Sequence, residues 1–578
     1  MLNLNLSRTF GLFFVLLAIC FFGLQAQAEY GGGSGTTAPA ERSTYVFLPD
    51  QSTVVQTGGI AGVHETYSIE GQFQLTFDFD AGIASFDQVD ANLTDESGFL
   101  YTRSLGVLFN MTELLGTVVD DTTIDFAGQT ADGTSTDILL TLTFTGDSVH
   151  FTGETIPPPD SADFFYYKLD AVARKKYGGG TGEPNDPYLI NTAEQMNAIG
   201  AEPNDWDKHF KLMTDIDFST YIETDFNIIG YYESYGSLNN KPFSGVFSGN
   251  NKKILGFNYS STYRDGIGIF GYVKGKNAEI KDLVLTDPNF NAGTGDYVGL
   301  LVGCLEQGTL TNCYAQGSSV SGAFHVGGLV GANYSTIAGC CVSGSISGNY
   351  QVGGLVGLNS SSGRISKCCS SSGVSGESSV GGFVGLNAGY GTIVNCHATG
   401  SVTGKTKVGG LVGEIWQGTI INCYSAGKVT GTTDVGGLIG DKDESIEPEC
   451  TDSFWDIQTS GQISSAGGAG KTTAEMQMES TFTDAGWDFV AESANGNEDI
   501  WSICEGTNYP RLTWQIPAGD FVCPDGIAIE DFVFFVEHWG QETCDLSNDY
   551  CQGTDLNHSG TVDTNDLEIF LENWLAVN

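Results

Sequence analysis

Val326-Gly327-Gly328-Leu329-Val330-Gly331-Ala332-Asn333 returns as Val352-Gly353-Gly354-Leu355-Val356-Gly357-Leu358-Asn359, and again as Val380-Gly381-Gly382-Phe383-Val384-Gly385-Leu386-Asn387. Variants start at Val298, Val408 and Val435, so six copies follow one another at a nearly constant period. A second register moves in step: Leu310-x-x-Cys313, Ile337-x-x-Cys340, Ile365-x-x-Cys368, Ile393-x-x-Cys396 and Ile420-x-x-Cys423, with Cys450 as a sixth member one period on. A third apolar stretch closes most units, as in Val402-Thr403 and Val429-Thr430. Three short strands per unit, joined by Gly, Ser and Asn turns, have one economical arrangement. Each unit is a coil of a right-handed parallel β-helix, stacked on the next at the ~4.8 Å strand spacing. Like residues then form ladders, with Val, Leu and Ile inside and Gly expected at corners that need positive φ. A helical repeat is excluded, because each Gly of a Gly-Gly pair costs a helix about 1 kcal/mol.

Outward from the repeats the pattern loosens. Residues 242–249 and the less regular coil 267–285 precede the regular units, and Phe454-Trp455, Trp487-Asp488-Phe489 and Tyr509-Pro510-Arg511-Leu512 follow with the bulky aromatics of a cap. Over 43–172 the chain alternates instead, as in Gln72-Phe73-Gln74-Leu75-Thr76-Phe77, and Ile138–Phe144 with Val149–Thr152 reads as a hairpin around Gly146-Asp147. That pattern predicts an antiparallel β-sandwich-like or barrel domain. A Gly/Ser/Thr/Ala linker over 31–40 precedes it. Before that, Arg8, the apolar run Phe10–Leu24 and Ala26-Gln27-Ala28 form a signal peptide over 1–28, with cleavage expected near Ala28. The run is shorter than the ~20 residues a spanning helix needs, so no transmembrane anchor is expected. The mature protein is expected to be secreted, extracellular or on the cell surface.

The composition agrees with an exported, non-nucleic-acid protein. With 24 basic against 70 acidic residues the net charge is −46, and no basic surface of the size that phosphate binding needs can be assembled. Gly makes up 79 of 578 residues, about twice the usual ~7%. An exported chain meets an oxidising compartment, where disulfides persist. Cys341 and Cys369 each follow a member of the cysteine column and occupy equivalent places on neighbouring coils. The ~4.8 Å strand spacing falls in the range a disulfide accepts, so a Cys341–Cys369 bridge is expected. Cys544 and Cys551 are further disulfide candidates, whereas the column cysteines are expected to be buried as small apolar residues.

The Val-Gly-Gly-Leu-Val-Gly-x-Asn units, complete at Asn333, Asn359 and Asn387, resemble the GLUG motif of bacterial secreted and surface proteins, over about 177–515. That resemblance implies an architecture, a β-helix, rather than a reaction. At the other end, 555–566 is a twelve-residue loop of EF-hand type. Asp555, Asn557, Ser559, Thr561, Asp563 and Asp566 stand at the six positions from which such a loop supplies oxygen to Ca2+, with Gly560 at the turn. Leu567, Phe570, Leu571, Trp574 and Leu575 form an amphipathic exiting helix, and no helical pattern enters the loop. A loop with only an exiting helix resembles a dockerin, over 519–578. Phe532, Phe535, Val536 and Trp539 mirror the exiting helix earlier in the chain, behind a departed loop in which Val522 and Pro524 hold ligand positions. The resemblance implies a cohesin-type protein or cell-envelope receptor as partner, with Thr564 and Asn565 at the positions that select it.

Catalytic signals are sparse. Between Val298 and Gly440 the acids Glu306, Glu377, Glu414 and Asp434 are out of register with one another, and His325 and His397 read as surface residues without a shared acid. No catalytic residue is assigned. The favoured expectation is a non-catalytic, adhesin-like β-helix that binds a polysaccharide, glycan or cell surface and is anchored by its calcium-dependent tail. The alternative is a carbohydrate-active enzyme, a polysaccharide lyase or glycoside hydrolase of polysaccharide catabolism.

Overall fold

The computed structural model describes residues 41–577, with breaks at 49–50, 59–62, 79–82, 96–108, 110, 112–113, 121–122, 130–136, 146–147, 157–164, 222–225, 235, 444–448, 491–493, 524–525 and 546–548. The signal segment 1–28, Ala28 and the 31–40 linker lie outside the described residues. The chain divides into two compact units, Ala38–Thr473 and a second that holds Ala474–Asn578. No described helix is long and apolar enough to cross a membrane.

The first unit opens with nine antiparallel strands, β1 (Glu41–Phe47), β2 (Thr53–Gly58), β3 (Val63–Asp78), β4 (Ile83–Asp95), β5 (Leu115–Asp120), β6 (Thr123–Gln129), β7 (Asp137–Thr145), β8 (Ser148–Ile156) and β9 (Phe165–Lys175). From β4 to β9 each strand pairs with the next, β9 pairs with both β1 and β2, and β3 pairs with β1, β2 and β4. The sheet therefore closes on itself as a barrel, which leaves no free edge. Its alternating residues fill the interior with Phe47, Phe73, Phe86, Phe126 and Phe151, and Phe73 meets Phe151 edge-on at 5.0 Å.

The barrel feeds directly into a parallel β-helix. Twenty-seven strands from Tyr188–Ile190 to Ala469–Lys471 belong to one sheet, and a further five-stranded sheet stacks Phe324–Gly327, Tyr350–Gly353, Ser378–Gly381, Thr406–Gly409 and Thr433–Gly436. The ladders are in register: Val330–Val356–Val384–Val412–Ile439 and Ile337–Ile365–Ile393–Ile420. These side chains are essentially inaccessible, and each contributes ~1.5–3 kcal/mol by leaving water. Asn333, Asn359 and Asn387 form a buried amide ladder, each Nδ2 donating to the next Oδ1 at 2.8 Å. At the start of the coil stack, half-buried Lys176 pairs with buried Asp205 at 2.9 Å and Tyr177 donates to the same carboxylate at 2.8 Å. Burial and the Asp205 charge together push the Tyr177 phenol far above its ordinary range.

Three expectations need correction. The Val-Gly-Gly glycines do not sit at positive-φ corners. Those corners are taken mostly by side-chain-bearing residues, Tyr297, His325, Gln351, Ser379, Lys407 and Asp434 in one column and Asn312, Lys367, Asn395 and Asn422 in another, where Gly339 alone is the expected glycine. The repeat glycines are needed instead for close backbone approach: a Cβ on Gly353 or Gly381 would lie 2.0 Å from a carbonyl oxygen of its own coil. Cys450 is not the sixth member of the cysteine column. It pairs with Ile420, because its coil carries three more residues between the ladder positions after Asp441 than the previous coil has after Glu414. Ser453 takes the vacated place and its hydroxyl accepts from the Cys423 amide at 3.1 Å. Finally, His397 is not a surface residue, and His325 is only partly exposed. His397 is buried and stacks on Tyr424 at 5.0 Å, and His325 stacks on Tyr297 at 4.6 Å.

Cys313, Cys340, Cys368, Cys396 and Cys423 are buried free thiols. Cys341 and Cys369 face each other across paired strands and form a disulfide, with Cα atoms 4.6 Å apart. Cys544–Cys551 and Cys504–Cys523 are also bridged.

The second unit has its own aromatic core. Trp487 packs on Trp501 and Phe482, next to the two-stranded ribbon Trp501–Ser502 with Arg511–Leu512. The aromatic segments expected to cap the coils thus lie in this unit, while Phe454 and Trp455 remain in the β-helix and Trp455 closes its core. Two helices follow, Ile529–Glu537 and Thr564–Val577, packed through Phe535 and Phe570 at 5.4 Å and Phe532 and Trp574 at 5.9 Å.

Candidate functional site

A regular coil gives little room for chemistry, since the side chain at each position repeats that of its neighbours. Large polar side chains collect where the period fails. In the N-terminal coils the backbone of Tyr231 pairs with Lys241 at 2.7 and 2.9 Å, which builds a hairpin that leaves the coil. Glu233 is fixed on it by Asn239, whose Nδ2 donates at 3.1 Å. Opposite lies the turn 260–265, whose Ser260 pairs with Asn291 of the next coil. Between them opens a cleft of about 850 Å³, lined by Tyr231, Glu233, Tyr263, Arg264, Asp265 and Asn291 among others.

Its rim is aromatic and its floor polar. Tyr263 is 81% exposed and Tyr231 40% exposed, whereas Tyr232 is buried beneath them against Tyr272 at 5.4 Å and Tyr297 at 5.1 Å. The Arg264 guanidinium lies 5.9 Å from the Tyr231 ring centre, and its Nε is buried without a hydrogen-bond partner. The Asp265 carboxylate accepts from the Asp296 amide at 2.9 Å. Burial and the Asp265 charge raise the Asp296 carboxyl above its usual range.

The tyrosine cluster continues along the coils. Glu306 accepts from Lys274 at 2.7 Å and from the Tyr272 hydroxyl; burial opposes its charge, but these bonds hold it below the ordinary carboxylate range. Farther along, buried Glu414 accepts from Ser379 at 2.6 Å, from Trp416 at 2.7 Å and from Lys407, which also reaches Asp441 at 3.1 Å. Every oxygen of Glu414 is engaged, so this cluster is a structural ion-pair network in place of the Leu386 of the coil before.

The 555–566 loop is closed by its own carboxylates. Asp555 accepts from the amides of Ser559 at 2.9 Å and Gly560 at 2.8 Å, and Asp566 accepts from those of Asn557 at 3.0 Å and Asp563 at 2.8 Å. Asn557 accepts from the Ser559 amide at 2.8 Å, and the Ser559 hydroxyl lies 3.2 Å from the Thr561 carbonyl oxygen. The six expected ligand residues therefore share one tight loop. Even so, no group of three or more His, Cys, Asp or Glu side chains among the described residues comes together as a metal cluster. Asp555 and Asp566 are fully buried and have no ion-pair partner among the described residues. The donors are oxygen throughout, which fits a hard cation rather than a thiophilic one.

The first loop has the same wiring. Asp531 accepts from Val522 at 2.9 Å and Ala528 at 2.8 Å, as Asp566 does from the equivalent positions, but Asp520 reaches Gly526 at 3.0 Å, one residue later than Asp555 reaches Gly560. Thr564 and Asn565 are exposed at the start of the second helix. On the first helix Ile529, Val533 and Val536 are each about half exposed, an apolar strip on the helix surface.

Sequence reasoning missed the cleft. The available signal was local: Tyr231-Tyr232-Glu233 and Tyr263-Arg264-Asp265 put bulky and charged residues where the later units have Gly, Ser and Thr.

Comparison with known proteins identifies the repeats. The family described as the GLUG motif matches residues 294–321, 376–403 and 406–430. Halomucin of Haloquadratum walsbyi is 27% identical over 265 residues, 44% of this chain and 3% of that protein. A protein of Evansella cellulosilytica named as a Gly-rich membrane protein is 30% identical over 133 residues, 23% of this chain and 14% of its own length. The chain thus spans a small fraction of these relatives. A solved structure from Bacteroides ovatus, named for an immunoglobulin A1 protease, aligns with a TM-score of 0.36 at 19% identity, over 59% of this chain and 96% of its own.

Proposed function

We propose that this is an exported, adhesin-like protein whose β-helix binds glycan on a cell surface or matrix without turning it over, and whose C-terminal module anchors it through calcium. The observation that carries the reading is the cleft that sets exposed Tyr231 and Tyr263 beside Glu233, Arg264 and Asn291. Sugar rings present apolar C–H faces to aromatic rings and hydroxyls to planar polar side chains, so an aromatic rim over a polar floor matches that ligand class. The GLUG repeats and the likeness to Halomucin support a surface role.

The anchoring part rests on the 555–566 loop. Two buried carboxylates without a cationic partner are costly unless a cation joins them, and Asp555, Asn557, Ser559, the Thr561 carbonyl, Asp563 and Asp566 would hold Ca2+ there. A dockerin-like module of this kind would present Thr564, Asn565 and the Ile529–Val533–Val536 strip to a cohesin-type or cell-envelope partner.

One observation favours the carbohydrate-active alternative: burial and the Asp265 charge raise the Asp296 carboxyl, as the acid member of an acid–base pair requires. Incubating the full chain with neutral and acidic polysaccharides separates the two readings. Retention of polysaccharide without new reducing ends or unsaturated products is expected. Turnover abolished by Asp296→Asn would overturn the binding-only reading.

A further inference from the structure

Charge in this chain is lopsided, and Arg264 is the one cation among the residues that line the cleft. Within the β-helix Lys208, Lys274, Lys281, Lys405 and Lys407 each pair with a carboxylate. Arg264 makes no ion pair among the described residues, although Asp265 is its chain neighbour and Glu233 lines the same cleft. Each acid is occupied elsewhere: Asp265 accepts from the Asp296 amide, and Glu233 binds Asn239 and Ser237. The guanidinium rests instead against Tyr231, and its Nε–H is buried with nothing to donate to. A buried donor left unpaired costs ~1–3 kcal/mol, which a ligand that supplies the acceptor recovers.

Resting on the glycan-binding reading above, we propose that this cleft binds the carboxylate-bearing end unit of an acidic glycan. Arg264 takes the carboxylate, since the planar guanidinium matches two carboxylate oxygens at once. Tyr263 offers its exposed ring to the apolar face of the sugar, and Asn291 and Glu233 face its hydroxyls. The flanking acids select against denser charge. A doubly charged phosphate, or a run of uronates, would meet Glu233, Asp265 and a chain of net charge −46 with one cation to balance them. A single carboxylate is the anion that one Arg neutralises.

The test is calorimetric titration of the full chain with a disaccharide that ends in a hexuronic acid, its carboxyl-reduced, glucose-ended counterpart, and a phosphorylated counterpart. The uronate is expected to bind at least ~10-fold more tightly than the reduced sugar, as a site built around a ligand's polar group discriminates against its absence. Binding to the uronate should weaken by ~10-fold or more in Arg264→Gln, and by less in Arg264→Lys, which keeps the charge and loses the fork. Tyr263→Ala, whose side chain is almost wholly in solvent, should weaken both sugars alike with an unchanged thermal midpoint. Equal affinity for the uronate and the reduced sugar, tighter binding of the phosphorylated sugar, or wild-type affinity in Arg264→Gln would each overturn the proposal. If the chain still retains polysaccharide while Arg264 and Tyr263 prove indifferent, this assignment falls and the glycan-binding reading stands. Loss of all polysaccharide retention by the wild-type chain would sink both.

Discussion

Gly381→Ala is the sharpest test of why the repeat keeps its glycines. The ideal Cβ at this position would sit 2.0 Å from the Val384 carbonyl oxygen, 2.7 Å from the Gly413 amide and 2.8 Å from the Leu411 carbonyl. All three are backbone atoms on two stacked coils, so relief by rotating a side chain is impossible. Ordinary contact begins near 3.4 Å, which requires the strand to move by more than an ångström and to break ladder bonds with both neighbours. Overpacking of this kind costs ~1–3 kcal/mol or more, and the fixed backbone puts Gly381→Ala at the upper end. Gly373→Ala is the control. It lies in a strand of the same coil, its φ is not positive, and its Cβ would meet no atom nearer than 3.7 Å. There the lost flexibility of the unfolded chain should leave stability unchanged or raise it by ~0.4–1 kcal/mol. Urea unfolding of the full chain, followed by tryptophan fluorescence and circular dichroism, compares the two. A gap below ~0.5 kcal/mol would refute the close-approach account and return the glycines to a conformational role.

Asn359→Ala removes the middle rung of the amide ladder and leaves the Asn333 amide and the Asn387 carbonyl short of a partner, so a loss of ~1–3 kcal/mol is expected; an unchanged urea midpoint would show the ladder to be dispensable. Calcium at about a hundred times its dissociation constant should stabilise the second unit by ~2.7 kcal/mol, and Asp555→Ala with Asp566→Ala should abolish that response in calorimetry, while Asp520→Ala keeps it. Burial lowers the His325 imidazole from 6.5 to about 4, so the unfolded chain binds the proton first and the contribution of neutral His325 is lost as pH falls from 6.5 towards 4. The span is worth up to ~3 kcal/mol, and His325→Gln should flatten the stability profile in that window; an unchanged profile would mean that His325 titrates normally.

Periodicity made the β-helix legible because a ladder imposes the same demand on every coil, and six repeats of Val-Gly-Gly with a cysteine in step left no other period to fit. The same logic failed at its edges. Extending the column by one more period to Cys450 assumed that the coil length held, but the ladder tolerates extra residues in a turn, and the three that intervene move Cys450 into the isoleucine column. The glycines were read as turn formers because positive φ is their commonest use. Here αL geometry is taken by His325, Gln351 and Ser379, residues that sequence alone does not mark for it, while the glycines answer an inter-strand approach that only the coordinates reveal. His397 was read as a surface residue because no acid shares its register; the stack with Tyr424 on the adjacent coil accompanies its burial.

The cleft was hidden for a related reason. In a regular coil each side chain is flanked by its own counterpart one spacing above and below, so a feature built there repeats as a flat stripe. A concave site for one ligand needs that translation broken. The 231–241 hairpin breaks it by leaving the coil, and the 260–265 turn then faces a wall instead of a copy of itself. Arg264 can stay unpaired there because its neighbours' carboxylates are held by Asn239, Ser237 and the Asp296 amide. In the repeats Lys405 and Lys407 find carboxylates on neighbouring coils, Lys405 in Glu377 and Lys407 in Asp441. On the glycan-binding reading proposed above, recognition would belong to the N-terminal coils, where the sequence stops repeating and the cleft can form.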